Sequence, residues 1–352
     1  MRKISRYVSG IVFNAIALTL IVLMSIDFIF GFIYQLSTIR GNYNFSEVMI
    51  YLMLTAPRRL YTFMPFACLI GCLAGLGILA NTSELVIVRA AGVSTARIVW
   101  LVLRPALVFI FVALLVGEYV APYTEQMAEY RRTVARGSNA KASQQPVWNR
   151  EANEFIHFDA ILPSGVIYGV SRYNFNEERE LVTASYTKQA IYQDGFWQEE
   201  DVAITHINVN STSVEKISSR KWDTRLTPDL LNILALEPKD LSIQNLYFYM
   251  NYLSAQQITN SDYSLSFWQK TLRPLATASL VLIAISFIFG PLRSVTTGQR
   301  IFTGVIFGVF FELMQRLLGP SSLVFGFSPL FAVLLPILFC FALGFFLLRR
   351  AR

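Results

Sequence analysis

The chain has 352 residues, of which 54% are hydrophobic and 15% are charged, so it is too apolar for an ordinary soluble domain. Its formal net charge is +7, but Lys and Arg are scattered and form no basic stripe, which argues against a nucleic-acid partner and for a membrane protein. The three cysteines, Cys68, Cys72 and Cys340, all fall in apolar stretches. We therefore predict core residues there rather than disulfides or zinc ligands.

The first long apolar run, 7–39, follows the basic sequence "MRKISR" and contains a single charge, Asp27. It is too long for a signal peptide and lacks a small-residue cleavage site soon after it, so we predict a membrane anchor. Five further runs follow, each long enough to cross a hydrocarbon core of ~30 Å. The predicted spans are 7–39, 60–83, 98–117, 274–292, 301–318 and a last one that follows Gly319-Pro320 and ends at Arg349.

The spans form two groups of three around a long polar insert. The predicted fold is therefore a membrane α-helical bundle of six transmembrane helices with an inserted all-β, jelly-roll-like domain. The predicted domains are 1–121 with the first three spans, 122–266 with the β domain and a helical return, and 267–352 with the last three spans.

The short loops indicate the orientation, because Lys and Arg accumulate on the cytoplasmic side of a membrane protein. They are concentrated in the two termini and in the loops after spans two and four: Arg2, Lys3, Arg6, Arg89, Arg97, Arg293, Arg300, Arg349, Arg350 and Arg352. Of the opposite short loops, one contains Arg40, Arg58 and Arg59, and the other, 319–328, contains none. We predict cytoplasmic termini and a periplasmic insert.

The predicted cytoplasmic loop "NTSELVIVRAAG" runs from Asn81 to Gly92. Asn81 can cap a helix with Glu84 at its third position, and Gly92 can end it, so we predict a short helix over 82–91. Ser94 can cap the next helix. Two interpretations of the apolar run "LVIV" remain open. It rests on the bundle or the lipid interface, or it docks into a groove of a partner with Glu84 and Arg89 at the rim.

The insert contains short segments rich in β-branched and aromatic residues, "EFIHFDAI", "GVIYGVSRYNF", "ELVTASY", "KQAIYQDGFWQ" and "DVAITHINVN". They predict a sandwich or jelly roll of roughly 100 residues. Asp194-Gly195 is typical of a β-hairpin turn. The following "LTPDLLNILALEPKDLS" is predicted to be helical or irregular, and Ser242 to cap a helix that returns to the membrane.

No residue pattern predicts an enzyme. His157 and His206 lie in the predicted strands without a nucleophile or metal ligand nearby, so we expect ordinary strand residues. The chain has no Gly-Lys dipeptide and therefore no Walker A loop, so any ATP that drives it is bound by another chain.

Charged residues inside or beside spans form the candidate ligand site. Charges are costly in lipid and usually mark function, although Glu312 and Arg316, four residues apart, can also simply neutralise each other. Basic residues at the external ends predict an anionic ligand, with phosphate the obvious candidate for the arginine fork. The candidate residues are Arg40, Arg58, Arg59, Arg131, Arg132, Arg136, Lys270, Arg273, Glu312, Arg316 and Asp27.

Several stretches in order along the chain resemble the LptF/LptG (YjgP/YjgQ) family of lipopolysaccharide export permeases, and the LptG branch more than the LptF branch. They are "SELVIVRAAG", "GEYVAP" followed by "EQMAEYRR", "LTPDLL" with "LEPKDLS", and "ISFIFGPLRSV". The resemblance implies an ABC-transporter permease that extracts lipopolysaccharide from the outer leaflet of the Gram-negative inner membrane. The implied partners are an LptF-like permease, an LptB-like ATPase dimer that binds ATP and Mg, and an LptC-like membrane-anchored jelly-roll protein.

The resemblance also implies residue roles. The 82–91 helix becomes the helix that couples to the ATPase, with Glu84, Leu85, Ile87, Val88 and Arg89 as its candidate residues, and the outer basic residues meet lipopolysaccharide phosphates. The family pattern has a lysine in the outer part of span one, where this chain has Gly31. That contact is not carried over, and Arg40, Arg58 and Arg59 are candidates to compensate. The alternative function is a membrane receptor or assembly factor with a periplasmic β sensing domain.

Overall fold

The computed structural model describes residues 2–39, 42–82, 84, 87, 90, 94–135, 147–162, 165–193, 195–208, 211–224, 226–228, 230–231, 237–255, 260–290 and 295–350. The chain divides into two compact units. A helical unit contains Met1–Ser37, Leu52–Glu125 and Ser261–Arg352, and an insert unit contains Thr38–Tyr51 and Gln126–Asn260. The insert unit therefore includes the link after the first span and the first residues of the second.

Six of the described helices are long and apolar enough to cross a membrane, which confirms the predicted number of spans. A π-helical turn, Val116–Val120, joins α3 to α4, so the third span is continuous from Ala96 to Glu129. In chain order the helices are α1 (Arg2–Leu36), α2 (Phe45–Asn81), α3 (Thr95–Leu115), α4 (Ala121–Ala135), α5 (Ile243–Ala255), α6 (Ser261–Phe289), α7 (Thr297–Phe325) and α8 (Pro329–Arg350).

α2 is the central helix of the helical unit. Of its apolar stretch 72% is buried, against 11% in α1 and 17% in α7, so α1 and α7 leave broad apolar faces for lipid or partner helices. Its 37 residues span about 55 Å at ~1.5 Å per residue, which exceeds the hydrocarbon core. The predicted second span therefore began too late, because Pro57, Arg58 and Arg59 interrupt the apolar sequence of α2.

Glycines allow close contact between α2 and its two exposed neighbours. A Cβ at Gly71 would lie 2.5 Å from the Cα of Ile16 in α1, and one at Gly75 would lie 3.1 Å from the Cα of Val12. In α7, Gly308 faces Phe66 of α2 in the same way. Gly71 and Gly75 thus let the backbones of α1 and α2 approach closely, whereas Gly308 makes room for the Phe66 side chain.

α7 does not end at Gly319-Pro320, as the sequence predicted, but continues to Phe325 and stops at Gly326, where φ is +72°. Proline removes one helix hydrogen bond and usually ends a helix. Here the hydroxyls of Ser321 and Ser322 donate to the carbonyls of Leu317 and Gly319 at 2.6 Å each. These bonds do not replace the one that Pro320 cannot donate, which would go to the carbonyl of Arg316 four residues earlier. Prolines of this kind are tolerated within membrane helices.

The insert unit contains a six-stranded antiparallel sheet in which each strand pairs with its neighbour in sequence, which confirms the predicted β domain. Gln193 pairs with Phe196 across the predicted Asp194-Gly195 turn, where Gly195 has a φ of +86°. The sequence missed the first strand and the largely exposed last one. The strands are β1 (Val147–Glu151), β2 (Glu154–Leu162), β3 (Val166–Phe175), β4 (Leu181–Gln193), β5 (Phe196–Asn208) and β6 (Ser211–Trp222).

One transverse row of residues bends this sheet. Every ladder from β2 to β6 skips one pair at the same level, so that Asp159, Gly169, Lys188, Asp201 and Ser218 form a continuous row. Gly169 and Asp201 have positive φ values of +62° and +54°, which ordinary strand residues avoid. The row explains why the sequence divided β4 and β5 into separate segments, since polar, kinked residues interrupt the alternation there.

Burial changes phase at this row. Along β5, Trp197 and Glu199 are buried before the row, and Val202 and Ile204 are buried after it, so the buried positions change from odd to even. An unbroken strand would keep one parity, because successive side chains alternate between faces. The kink therefore keeps one face of the sheet buried along both halves of the strand.

Ser242 caps α5, as predicted, because its hydroxyl oxygen accepts a hydrogen bond from the backbone N–H of Asn245 at 3.1 Å. Of the preceding segment, the part that the structure describes includes a buried turn with Leu230 and Leu231 and a short 3₁₀ turn, Pro238–Asp240. Both agree with the prediction of helical or irregular structure.

Candidate functional site

The segment between α2 and α3 is described at Glu84, Ile87 and Ala90, and all three are helical. Residues three apart lie on one face of a helix, and on this face Ile87 leaves 65% of its surface exposed. A carboxylate oxygen of Glu84 accepts a hydrogen bond from the Tyr7 hydroxyl of α1 at 3.4 Å. Leu85, Val88 and Arg89, the remaining predicted residues of the coupling helix, lie outside the described residues.

The predicted capping role of Asn81 was wrong, whereas Ser94 caps α3 by accepting from the N–H of Arg97. Asn81 is the last residue of α2, and its side chain is directed to α7. Its amide donates to the Thr297 hydroxyl at 2.8 Å, and its oxygen accepts from Arg300 at 2.8 Å. These bonds use the Asn81 side chain to join two spans.

Arg300 is 1% exposed and completes this junction, since it also donates to the carbonyl of Gly77 in the last turn of α2 at 2.9 Å. A cation near a helix C-terminus meets unpaired carbonyls and the negative end of the helix dipole. The absence of a side chain at Gly77 leaves room for the guanidinium. The sequence indicated Arg300 only as a loop charge, because its partners lie more than 200 positions away along the chain.

Towards the other end of α2, Arg59 forms an ion pair with Asp27 of α1. Arg59 also donates from Nε to the Thr55 hydroxyl at 3.2 Å and from Nη1 to the Asp27 carbonyl at 3.4 Å. Gly31 provides the space, because a Cβ there would lie 2.7 Å from Nη1 of Arg59. The guanidinium therefore occupies the position opposite Gly31.

Other predicted charges of the helical unit are also paired. Arg58 donates to Glu125 at 2.7 Å, and Glu125 is 4% exposed although the sequence analysis did not single it out. Arg316 donates to Glu312 at 2.9 Å, so the two residues form the i,i+4 pair that their spacing allows, with the Arg316 side chain 72% exposed. This last pair lies on the poorly buried α7.

Lys270 and Arg273 of α6 lie against the ring of Tyr61, a residue that sequence reasoning missed. The Arg273 guanidinium is 4.5 Å from the ring centroid and Lys270 Nζ is 5.9 Å from it. Arg273 also donates to the Thr62 carbonyl at 2.9 Å. Gly117 in the π-helical turn packs against the same ring. These cations contribute to helix packing through cation–π contacts.

In the insert unit, Arg132 donates to Glu129 at 3.3 Å and lies over the Tyr51 ring at 5.2 Å, while Tyr51 donates to Glu129 at 2.8 Å. Arg131, next to it, is exposed. The two remaining predicted basic residues, Arg40 and Arg136, lie outside the described residues.

The sheet contains a buried charge cluster that was not predicted from the sequence. Glu199 is fully buried and accepts from Arg220 at 2.8 Å, Thr187 at 3.1 Å and Arg172 at 3.4 Å. Arg172 also donates to Glu154 at 2.7 Å. A buried carboxylate needs such partners, and residues on three other strands, β3, β4 and β6, supply them.

An apolar groove of about 570 Å³ lies between α1, α2 and α7 in the half of the bundle near the chain termini. Its walls are almost entirely aliphatic, as expected of a surface that contacts hydrocarbon rather than water. The lining residues include Leu18, Val22, Ile70, Ile78, Ile301 and Val305.

Nothing in the described part of the chain resembles a catalytic centre. No group of three or more His, Cys, Asp or Glu residues that could hold a metal was found among the described residues. His157 lies 3.6 Å from a carboxylate oxygen of Asp159 and against the ring of Trp148, and His206 lies 3.5 Å from a carboxylate oxygen of Glu215. The described residues provide apolar surface, paired charges that an anion can compete for, and an exposed isoleucine, Ile87, in the helical segment after α2.

Comparison with known proteins agrees with this geometry. The model of the family "Lipopolysaccharide export system permease LptF/LptG" matches residues 6–350. The lipopolysaccharide export system permease protein LptG of Escherichia coli K12 is 35% identical over 352 residues, which cover 99% of this chain and 98% of the relative. LptG of Haemophilus influenzae is 33% identical over 361 residues, which cover 100% and 99%. The chain belongs to the LptF/LptG family of lipopolysaccharide export system permeases.

Proposed function

We propose that this chain is the LptG-type permease subunit of an ABC transporter that extracts lipopolysaccharide from the outer leaflet of the Gram-negative inner membrane. The observation that carries the proposal is the family match over residues 6–350 in a chain with six membrane-length helices and a β insert. The basic loops support an orientation with cytoplasmic termini and a periplasmic β domain.

ATP hydrolysis belongs to a partner in this proposal, because the chain has no Walker A sequence. An LptB-like ATPase dimer that binds ATP and Mg would contact the segment with Glu84 and Ile87. The exposed apolar side chain of Ile87 supports this, since helices commonly dock into a partner groove through such residues. Closure of the dimer would push this segment against the ends of α2 and α3.

The substrate cavity would form between this chain and an LptF-like permease, with an LptC-like jelly-roll protein as the third partner. The faces of α1 and α7 are available for these contacts, and the aliphatic groove between them supplies one wall for acyl chains. Collapse of the cavity would expel the lipid towards the periplasmic bridge. Arg58, Arg59, Arg131, Arg132, Lys270, Arg273 and Arg316 are the described candidates for phosphate contacts.

A membrane receptor or assembly factor is the alternative, and co-purification separates the two. A tagged chain isolated in mild detergent from its own host should retain an ATPase and a second permease in fixed stoichiometry. If the chain inserts normally into the membrane but is isolated alone and without ATPase activity, the receptor is favoured.

A further inference from the structure

The residues of α1 that face α2 change character along the helix. Val8, Val12, Ile16 and Leu20 are buried at intervals of four, and they form an apolar seam near the chain terminus. Beyond Leu20 no α1 residue is buried until Gln35. Helical spacing continues the seam through Leu23 or Met24 to Asp27 and Gly31, so the ion pair with Arg59 lies where an apolar contact would otherwise be.

Between Leu20 and Gln35, the ion pair therefore supplies a polar contact between α1 and α2. We propose that Asp27 and Arg59 form a latch between these two helices, and that a phosphate group of a membrane lipid opens it by competing with Asp27 for Arg59. This inference rests on the proposed function, since it assigns the phosphate to the transported lipid. It concerns an opening within one chain, between its first two spans.

The geometry of Arg59 suits such a competition. Nε is held by the Thr55 hydroxyl, and Thr55 is itself buried, so the side chain stays anchored to α2. Nη1 faces Asp27 above Gly31, and both members of the pair remain partly exposed, at 24% and 29% of their side-chain surface. An anion that approaches can therefore reach the guanidinium without displacing buried apolar residues.

Phosphate is a stronger competitor than the carboxylate. A phosphate monoester carries more negative charge than a carboxylate and has three acceptor oxygens, and arginine binds it through a two-pronged fork. Once Arg59 is taken, Asp27 is an unpaired charge at membrane depth, which is unfavourable. The favoured response is movement of the far half of α1 away from α2, towards the headgroups.

Pulsed electron paramagnetic resonance on the full transporter complex tests the latch. Labels at cysteines introduced for Ile33 of α1 and Met53 of α2, both exposed, report the separation, and the native cysteines are buried. The distance is measured in nanodiscs under five conditions: without addition, with bisphosphorylated lipid A, with the same lipid A lacking phosphates, with phosphatidylglycerol, and with inorganic phosphate in the buffer.

We expect only bisphosphorylated lipid A to lengthen the distance in the wild type. Asp27→Asn should show the longer distance without any lipid and bind bisphosphorylated lipid A several-fold more tightly, because the competitor is gone. Gly31→Ala, whose methyl group crowds the guanidinium, should give the same shift by another route. Glu47→Gln removes a partly exposed carboxylate on α2 and should behave as the wild type.

An unchanged distance with bisphosphorylated lipid A, or a short distance in both variants without lipid, would overturn the latch. Equal opening by dephosphorylated lipid A, phosphatidylglycerol or inorganic phosphate would overturn its assignment to the substrate phosphate. Lipopolysaccharide release is measured in parallel. Normal release with a fixed distance refutes the latch alone, whereas no release by the wild-type complex refutes the proposed function.

Discussion

Three pairs of charged side chains in the spans form between residues of this chain. Asp27 pairs with Arg59, Arg58 with Glu125 and Glu312 with Arg316. Pairing lowers the free-energy cost of a charge in lipid. The paired groups can still exchange partners when a charged ligand binds. The identity of the charged residues was predictable from the sequence, but their partners were not, because most pairs join different helices.

Arg300 provides a prediction at the residue scale. Arg300→Met removes the bonds to Gly77 and Asn81 while keeping most of the side-chain volume, so it should lower the unfolding free energy by about 2 kcal/mol, the usual size for hydrogen bonds to a charged group. Thermal unfolding of the detergent-solubilised complex measures this. Arg350→Met, at an exposed helix end, is the control. Equal melting temperatures for the two variants would show that the junction does not stabilise the fold.

Single helices were predictable where their apolar runs were uninterrupted, and less so where local exceptions occur. α7 continues through Pro320 to Phe325, and the third span contains a π-helical turn where Gly117 meets Tyr61. Neither feature has a periodic signal. The bent row of the sheet had the same effect on β4 and β5, where the sequence pattern alone indicated strand ends.

Packing between α1 and α2 gives a prediction at the scale of the element. Gly71→Ala would place a methyl group against the backbone of Ile16, and overpacking of this kind typically costs about 1–3 kcal/mol. Gly10→Ala is the matched control, since a Cβ there meets nothing within 4 Å. Melting temperatures of the two purified variants should therefore differ, with only Gly71→Ala below the wild type. An equal fall in melting temperature in both variants would mean that the cost comes from replacing a helical glycine and not from the contact with Ile16.

The bend of the sheet gives a second prediction at this scale. Gly169→Ala forces an alanine to a φ of +62° and crowds Asp159, whereas Gly195→Ala meets only the φ penalty of about 1–2 kcal/mol at an open turn. Hydrogen exchange across β2 and β3 in the full-length protein should speed up more in the first variant. Similar exchange rates in the two variants would show that the row containing Gly169 has no special role in stabilising the sheet.

For the whole molecule, the proposed mechanism requires that closure of the ATPase dimer moves the spans through the segment between α2 and α3. Glu84→Lys reverses a charge on the described helical face there, so we expect the complex to assemble and hydrolyse ATP while lipopolysaccharide release falls at least about tenfold, as for loss of one charge-assisted contact. Glu178→Lys, at an exposed turn of the insert, is the control and should release lipid normally. Normal release by Glu84→Lys would place the coupling elsewhere.

The most direct measurement is ATP-driven lipopolysaccharide release from proteoliposomes that contain this chain with its partner permease and ATPase. The proposed function predicts release to a soluble acceptor only when this chain and ATP are both present, and no release when this chain is omitted or a non-hydrolysable nucleotide replaces ATP. Steady ATP hydrolysis by the complete complex without any release of lipopolysaccharide would contradict it.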